Sequence, residues 1–402
     1  MKVRQVFRFA LGLFLSMLVV EGGLRIVKAT PMWRALPVVP PVLGGPDRKV
    51  GYSFTPNLRT VWIDENRTRI EINELGLRDS GISLQKPSGT LRVALTGDSY
   101  IEALQVNQRL TFDAVTERIL AGSGLNAEIA NLGMSGHGPL RQFVRLRRKE
   151  PILSADMALS FIRAGDFVNK DLFDDSKHPA YVPDGNGGLK EGTAFKHRLT
   201  VRLSDHPVFI GALWAVQNIE VVRIAYWLYK KWVISALLAQ AAKKKLVQPQ
   251  NRQAIDVCMR GSLERQKSLW LENKPREHWR RVEKFLNDYS DWSRRTNVPV
   301  LVAFFLDLPP HSSQVCGSEK KLRKSIFETA RREFSRRGFA FLDFERLLAK
   351  RLIKTGKPLQ IYGFRYKQRG HLNPIGHRIY AEIISEEIAK FATVSSFGKV
   401  AR

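Results

Sequence analysis

Short apolar runs of strand length alternate with helical patterns through most of this 402-residue chain. Each run is almost continuously hydrophobic, as expected for parallel strands that are covered on both faces. Strands that alternate with helices predict an α/β fold, here a three-layer α/β/α sandwich around a central parallel sheet. The predicted strands are 92–96, 127–132, 157–162, 299–305 and 339–342, and the predicted helices are 112–120, 320–334 and 379–391.

The stretch from about 170 to 290 interrupts this alternation and predicts a helical insertion in the α/β domain. It contains a glycine-rich loop at 183–192 and a long apolar helical run at 208–240, which polar residues interrupt. One interpretation is a cap or lid that packs on the domain. The other is a helix at a membrane surface, which would use Trp214, Trp227 and Trp232 together with nearby lysines.

The N-terminus has the pattern of a membrane anchor or a signal peptide. Lys2, Arg4 and Arg8 precede an apolar run at 9–20, and a positive flank of this kind is typical of an anchor with its N-terminus inside. We expect an uncleaved single-pass anchor in a bacterial inner membrane with the soluble domain in the periplasm. A cleaved signal on a secreted protein and a buried helix of a cytosolic protein are the alternatives. The predicted division is an anchor at 1–30, a proline- and glycine-rich linker and lead-in at 31–89, and the α/β domain at 90–395.

Charge and cysteine content limit the classes of function. The formal net charge of +27 suggests an anionic partner, but no nucleic-acid motif accompanies the basic residues, so no nucleic-acid partner is predicted. Two cysteines exclude a multi-cysteine metal site, and no histidine–acid cluster has metal-ligand spacing, so no cofactor or metal is predicted. Cys258 and Cys316 could form a disulfide in an oxidising compartment or remain thiols.

Three segments carry residues suited to nucleophilic catalysis. Ser99 follows the first predicted strand in a Gly-Asp-Ser turn, and its backbone N–H could help to bind an oxyanion. Gly136 lies in a glycine-rich turn after the second strand and could supply another N–H donor. His371 stands in a loop just before the last helix, and a histidine can accept the serine proton near neutral pH.

These segments resemble the SGNH/GDSL hydrolases, and in particular their membrane-anchored bacterial branch. Gly-Asp-Ser-Tyr at 97–100 matches block I, Asn-Leu-Gly-Met-Ser-Gly at 131–136 matches block II, and His-Leu-Asn-Pro-Ile-Gly-His at 371–377 matches block V. The lead-in at 72–79 also resembles this branch. The resemblance implies Ser99 as nucleophile, His371 as base, and the N–H groups of Ser99 and Gly136 as the oxyanion hole.

Two positions depart from the family pattern. Gly165 stands where block III usually has the asparagine of the oxyanion hole, with Asp166 and Asn169 nearby. Gln368 and Arg369 stand where block V usually has the aspartate that orients the histidine. Asp343 or Glu345, after the last predicted strand, could supply that acid from elsewhere, and Asp98 in block I is another supporting carboxylate.

Two hypotheses of function follow. The first is a serine esterase or O-acyltransferase that acts through an acyl-serine intermediate on O-acyl groups of a cell-surface glycan or on another ester. The second is a catalytically degenerate protein that binds a glycan or a partner in a membrane-associated assembly. Inner-membrane lipid is a partner under either hypothesis, and the oligomeric state stays open.

Overall fold

The computed structural model describes residues 3–30, 40–63, 65–79, 81–168, 172, 174–244, 260–306, 317–354, 361–362 and 371–394. Asn169, Cys258 and Cys316 lie outside this part of the chain, and so does the disulfide that the two cysteines could form. The strands are β1 (Gly44–Asp47), β2 (Gly51–Phe54), β3 (Arg59–Trp62), β4 (Thr68–Glu71), β5 (Leu91–Thr96), β6 (Ala127–Asn131), β7 (Met157–Arg163), β8 (Tyr181–Pro183), β9 (Leu189–Glu191), β10 (Val300–Phe305) and β11 (Ala340–Asp343). The helices are α1 (Val3–Ala29), α2 (Ser99–Glu102), α3 (Phe112–Gly122), α4 (Pro139–Leu153), α5 (Leu199–Arg202), α6 (Pro207–Asn218), α7 (Glu220–Lys244), α8 (Arg260–Glu272), α9 (Arg276–Thr296), α10 (Gly317–Ser335), α11 (Phe344–Lys354) and α12 (Pro374–Val394).

The central sheet has five strands in the order β11-β10-β7-β5-β6, and its described pairs are all parallel. When these five strands are numbered 1 to 5 in chain order, they lie in the sheet in the order 2-1-3-4-5, which is the flavodoxin-like order. The order reverses between β5 and β7, where Thr96 pairs with Ser160 and their hydroxyls lie 2.9 Å apart. Ligands of open α/β sheets bind at the carboxyl ends of the strands at such a point. The predicted fold class is confirmed.

Helices cover both faces of the sheet because each presents an apolar stripe to it. On one face, α9 buries Val282, Phe285, Leu286 and Tyr289, spaced three and four residues apart, beside α4 and α10. On the other face α3, α11 and α12 pack together. Full burial of one such side chain contributes about 1.5–3 kcal/mol, so these two layers hold the sheet.

The segment predicted as a linker and lead-in forms two antiparallel hairpins, β1–β2 and β3–β4. Their four-residue strands in a stretch rich in Gly and Pro show too little alternation for the sequence to reveal them. Leu58 and Ile70 of the second hairpin are buried against Leu104 and Met134 of the α/β domain. The hairpins are therefore packed onto the carboxyl edge of the sheet.

The predicted insertion contains the β8–β9 hairpin and helices α5 to α9. The long apolar run is not one helix, because Ile219 is extended and α6 and α7 meet at 101°. The N-terminal helix α1 reaches this corner, where Arg25 Nη2 donates to Asn218 O at 3.0 Å and Glu21 Oε2 accepts from Val221 N at 3.1 Å. By length and composition, residues 4–27 could cross a membrane, and a signal sequence has the same properties. The bent α6–α7 pair is also long and apolar enough when its two helices are taken as one span.

Buried carboxyl groups beside β6 predict a pH-dependent stability. Burial, with a contribution from the charge of Asp113, raises the pKa of Asp79 to about 7 from an ordinary 3.8. The folded state therefore holds the proton of the Asp79 carboxyl group more tightly than the unfolded state does. The stability that this protonated carboxyl group contributes is fully present below pH 4 and is lost as the pH rises to about 7.

We predict that Asp79→Asn will reduce the loss of unfolding free energy between pH 4 and 7 by up to about 4 kcal/mol, at about 1.4 kcal/mol per pKa unit. The amide oxygen can still accept the hydrogen bond that Gly81 N donates to Asp79 Oδ1 at 2.8 Å. Urea titrations across this pH range measure the effect. Asp205→Asn, at a side chain that is 70% exposed, is the control. Equal slopes for wild type and Asp79→Asn would contradict the prediction.

Candidate active site

Ser99 is the first residue of α2, directly after β5, so the fold places it at the carboxyl edge of the sheet. Asp98 caps this short helix, since its Oδ1 accepts from Tyr100 N at 3.0 Å. A Cβ on Gly97 would lie 2.3 Å from Ile101 Cγ1, so the tight turn requires glycine there. Ser99 itself is half-buried.

The glycine-rich turn after β6 is fastened to the Ser99 turn. Asn131 Nδ2 donates to Ile101 O at 2.9 Å, while Asn131 Oδ1 accepts from Gly133 N at 2.9 Å. Gly133 lies so close to α2 that a Cβ would be 2.5 Å from Glu102 N. Gly136 is exposed on this loop with φ +70°, a conformation that favours glycine. The structure thus brings the Gly136 loop to the same edge as Ser99.

Glu102, at the end of α2, is a buried acid in this junction. Burial raises its pKa to about 7, against the opposing effects of a hydrogen bond from Ser135 Oγ and of the charges of Arg78 and Arg145. The carboxyl group thereby connects the helix that begins at Ser99 with the loop that holds Gly136.

His371 meets a carboxylate that the sequence did not indicate. His371 Nδ1 lies 2.6 Å from Glu65 Oε1, and the backbone N–H of His371 donates to Glu65 Oε2 at 3.1 Å. Both side chains are about one quarter exposed. A carboxylate at Nδ1 holds the proton on that nitrogen and leaves Nε2 able to accept one, which is how an acid orients a catalytic histidine.

Glu65 is held in place by its hairpin. It lies between β3 and β4 with φ +58°, a conformation uncommon outside glycine. The next residue, Asn66, donates from Nδ2 to Gln105 O at 3.0 Å, and Thr68 Oγ1 donates to Leu104 O. These bonds fix the turn against the loop that follows α2.

Gln105 is a second group at the same ring nitrogen. Its buried amide Nε2 lies 3.1 Å from His371 Nδ1, while its Oε1 has no hydrogen-bond partner among the described residues. An Nδ1–H that donates to Glu65 cannot also accept from an amide N–H. Rotation of the amide by 180° would instead place Oε1 at Nδ1–H, where it would support the same tautomer as Glu65 does.

Asp98 and Asp166 share one cation at this edge. Arg163, the last residue of β7, lies 2.7 Å from Asp98 Oδ2 and 2.9 Å from Asp166 Oδ1. Its guanidinium is 5.8 Å from the centroid of the Tyr100 ring, and that ring is 5.5 Å from the ring of His371. The structure therefore brings these two acids to the edge as partners of Arg163. Ser99 and His371 are not joined by a hydrogen bond in the described part of the chain.

The acids expected after the last strand are engaged elsewhere. Asp343 Oδ1 accepts from Arg346 N at 3.0 Å at the start of α11. Glu345 Oε2 accepts from Leu306 N at 3.1 Å, and its other oxygen pairs with Arg323. The acid at His371 is thus Glu65, which is 306 residues away in sequence. In the sequence Glu65 is marked only by an acidic neighbour, and this does not reveal the contact.

The second histidine of block V has a structural environment. His377 is fully buried in α12, and its Nδ1 accepts from Phe112 N at 3.2 Å. Burial, aided by the charge of Arg78, lowers the pKa of His377 to about 3, so the ring is neutral. Its role is to satisfy the first N–H of α3.

We predict that His377→Leu will lower the free energy of unfolding by about 1–3 kcal/mol, because the buried Phe112 N–H loses its acceptor. Chemical denaturation at neutral pH measures the change. His197→Leu, at an exposed histidine, should stay within about 0.5 kcal/mol of wild type. A His377→Leu protein as stable as wild type would show that this hydrogen bond is dispensable.

Comparisons with known proteins give weak likenesses. No family model matches the chain, and no curated protein matches it in sequence. Among solved structures, TesA is similar at 10% identity and TM-score 0.37, covering 74% of this chain and 98% of its own. The acetyl xylan esterase AlAXEase is similar at 13% identity and TM-score 0.35, covering 74% of this chain and 100% of its own. A family 3 carbohydrate esterase of Clostridium thermocellum is similar at 12% identity and TM-score 0.35, covering 76% and 99%.

Similarities at this level cannot support an assignment of the fold. That assignment depends instead on the chain's own sheet topology and motifs. The sheet order is flavodoxin-like, and the Gly-Asp-Ser, Asn-Leu-Gly and His-Leu-Asn-Pro segments belong to one edge of it. On these grounds the chain has an SGNH-hydrolase-like fold.

Proposed function

We propose that this protein is a serine esterase in which Ser99 is the nucleophile, His371 the general base and Glu65 the acid that orients it. The observation that carries the proposal is the contact of Glu65 with both Nδ1 and the backbone N–H of His371. It supplies the carboxylate that block V lacks, from a different part of the chain.

The proposed roles give the following mechanism. His371 Nε2 takes the proton of Ser99 Oγ as that oxygen attacks the ester carbonyl carbon. The N–H groups of Ser99 and Gly136 stabilise the oxyanion of the tetrahedral intermediate. His371 then returns the proton to the leaving alkoxide, and an acyl-serine remains. Water releases the acid in hydrolysis, or a sugar hydroxyl takes the acyl group in transfer.

One oxyanion donor of the family pattern is missing at Gly165. Loss of one such donor typically costs about 10²–10³ in turnover, and Gly165 has no side chain to supply it. Arg163 places a positive charge at the same strand end, although Asp98 and Asp166 share that charge. We therefore propose a slower enzyme than one with a complete oxyanion hole.

The substrate class that we propose is an O-acyl ester of a cell-surface glycan, at the periplasmic side of the inner membrane. The solved structures named as an acetyl xylan esterase and a carbohydrate esterase concern such esters, but their similarity is too low to assign a substrate here. Helix α1 would be the anchor, with Arg4 and Arg8 inside. Under the alternative function, glycan or partner binding without turnover, Gly165 would mark a lost oxyanion hole.

We predict that a fluorophosphonate probe will label the full chain at Ser99 and that Ser99→Ala will abolish labelling. Glu65→Gln should slow labelling by about 10²–10⁴, because an amide can present N–H to Nδ1 and favour the wrong tautomer. The comparable change in serine proteases costs about 10⁴. Labelling rates by gel fluorescence, with the site identified by mass spectrometry, measure these effects.

Two substitutions serve as matched controls. Glu71→Gln removes an exposed carboxylate from the same hairpin, and Asp343→Asn removes the acid that was expected from sequence. Both should label as fast as wild type. An unlabelled wild-type protein would favour the non-catalytic alternative. If Glu65→Gln were labelled as fast as wild type, Glu65 would have no role in orienting the His371 ring and would only position the backbone of the loop that contains His371.

A further inference from the structure

A cavity of about 950 Å³ lies between the α6–α7 helix pair and the two N-terminal hairpins, β1–β2 and β3–β4. Ligand pockets span about 300–1,000 Å³, so this cavity has the volume of a large ligand site. Its walls come from the insertion, from the N-terminal hairpins, and from Met134 and Ser135 of the loop after β6. It adjoins the proposed catalytic edge without being the place where Ser99 lies.

The walls of the cavity are mainly apolar. On α6, Phe209, Ala212, Leu213 and Val216 form one stripe with the three- and four-residue spacing of a helix face. The opposite wall is built of aromatic and aliphatic side chains, which are Tyr52, Phe54, Trp62, Leu104 and Met134. Such a lining favours a hydrocarbon chain over a sugar.

The outer face of the helix pair is apolar as well. On α6, Val208 is 74% exposed and Trp214 58% exposed, and on α7 Trp232 is 70% exposed. A helix that is apolar on all sides also needs an apolar environment at its outer face, because exposure of that face to water is unfavourable. Aromatic residues of this kind prefer the membrane interface.

Helix α1, which is long and apolar enough to cross a membrane, contacts this corner. Its Glu21 and Arg25 bond to the junction of α6 and α7, so a bilayer entered by α1 would meet the outer face of the pair. The cavity would then lie between the bilayer surface and the α/β domain.

Cations surround the cavity. Among its described lining residues, Arg141, Lys177, Arg198 and Lys230 are basic, and Glu102, which is buried, is the acid. Basic groups at an apolar cavity complement an amphiphile with an anionic headgroup.

We propose that this cavity binds one acyl chain of an anionic phospholipid from the bilayer, with the phosphate held by the basic lining residues. The chain lies between the α6 stripe and Trp62. This binding does not depend on esterase activity, since it needs neither Ser99 nor His371.

Lipid retention by the full chain tests the proposal. The protein is reconstituted in nanodiscs of phosphatidylcholine, alone or mixed with phosphatidylglycerol, and then extracted in mild detergent for native mass spectrometry. Wild type and Ser99→Ala should each retain one phosphatidylglycerol from the mixture. Leu213→Trp, which fills the cavity, should lose it, while Ile210→Trp on the outer face of the same helix should keep it.

A charge pair tests the headgroup separately. Arg198→Glu with Lys230→Glu should lower retention at least tenfold, whereas Arg331→Glu with Arg332→Glu, exposed on α10, changes net charge equally and should not. Circular dichroism checks folding, and Val216→Phe replaces Leu213→Trp if that variant is unfolded. No retained lipid in wild type, or equal retention by the cavity-filled variant, would overturn the proposal. Equal retention of phosphatidylcholine would overturn the anionic headgroup.

Discussion

The contact between Glu65 and His371 is the interaction on which the proposed chemistry depends, and packing far from the histidine maintains it. Glu65 is on a four-residue-strand hairpin, which is too short to be stable alone. Burial of Ile70 against Leu104 and Met134 supplies the missing stability. The hydrogen bonds that Asn66 and Thr68 donate then fix the turn against the loop after α2.

That loop is fixed in turn by a buried cation. Arg78 is only 1% exposed and donates to the carbonyl oxygens of Glu102, Ala103 and Val106. Burial lowers the pKa of Arg78 to about 10, while the charges of Asp113 and Glu102 act in the opposite direction. A buried charge is tolerable only when it is paired and hydrogen-bonded, so these carbonyl groups are held firmly. The segment from Ser99 to Gln105 is thereby a rigid base for the site.

The sequence predicts the sheet well because its strands are buried on both faces. The run predicted at 157–162 lies within β7, and the helix predicted at 379–391 lies within α12. These features follow from local hydrophobicity and local helix signals. The Ser99 turn could likewise be placed at the sheet edge because it follows a strand directly.

The acid of the site could not be predicted, because its position depends on contacts between distant segments. Asp343 was a reasonable candidate from sequence, since it ends a strand at the correct edge, but the N–H of Arg346 occupies it. Glu65 has no local signal beyond an acidic neighbour in the sequence, and its hairpin lies in a stretch predicted to be a linker and lead-in. The break at Ile219 was missed for a related reason, because the apolar composition on both sides is continuous.

The hairpin that delivers Glu65 also forms a wall of the apolar cavity. Trp62, at the end of β3, is three residues before Glu65, and Met134 of the same wall is two residues before Gly136. A chain bound in the cavity would press on both segments, and neither can shift much without moving its neighbour in the site. Filling of the cavity would therefore restrict the hairpin and the glycine loop together. Under the proposed lipid binding, occupancy of the cavity and the geometry of the proposed catalytic edge would be coupled through these two short segments.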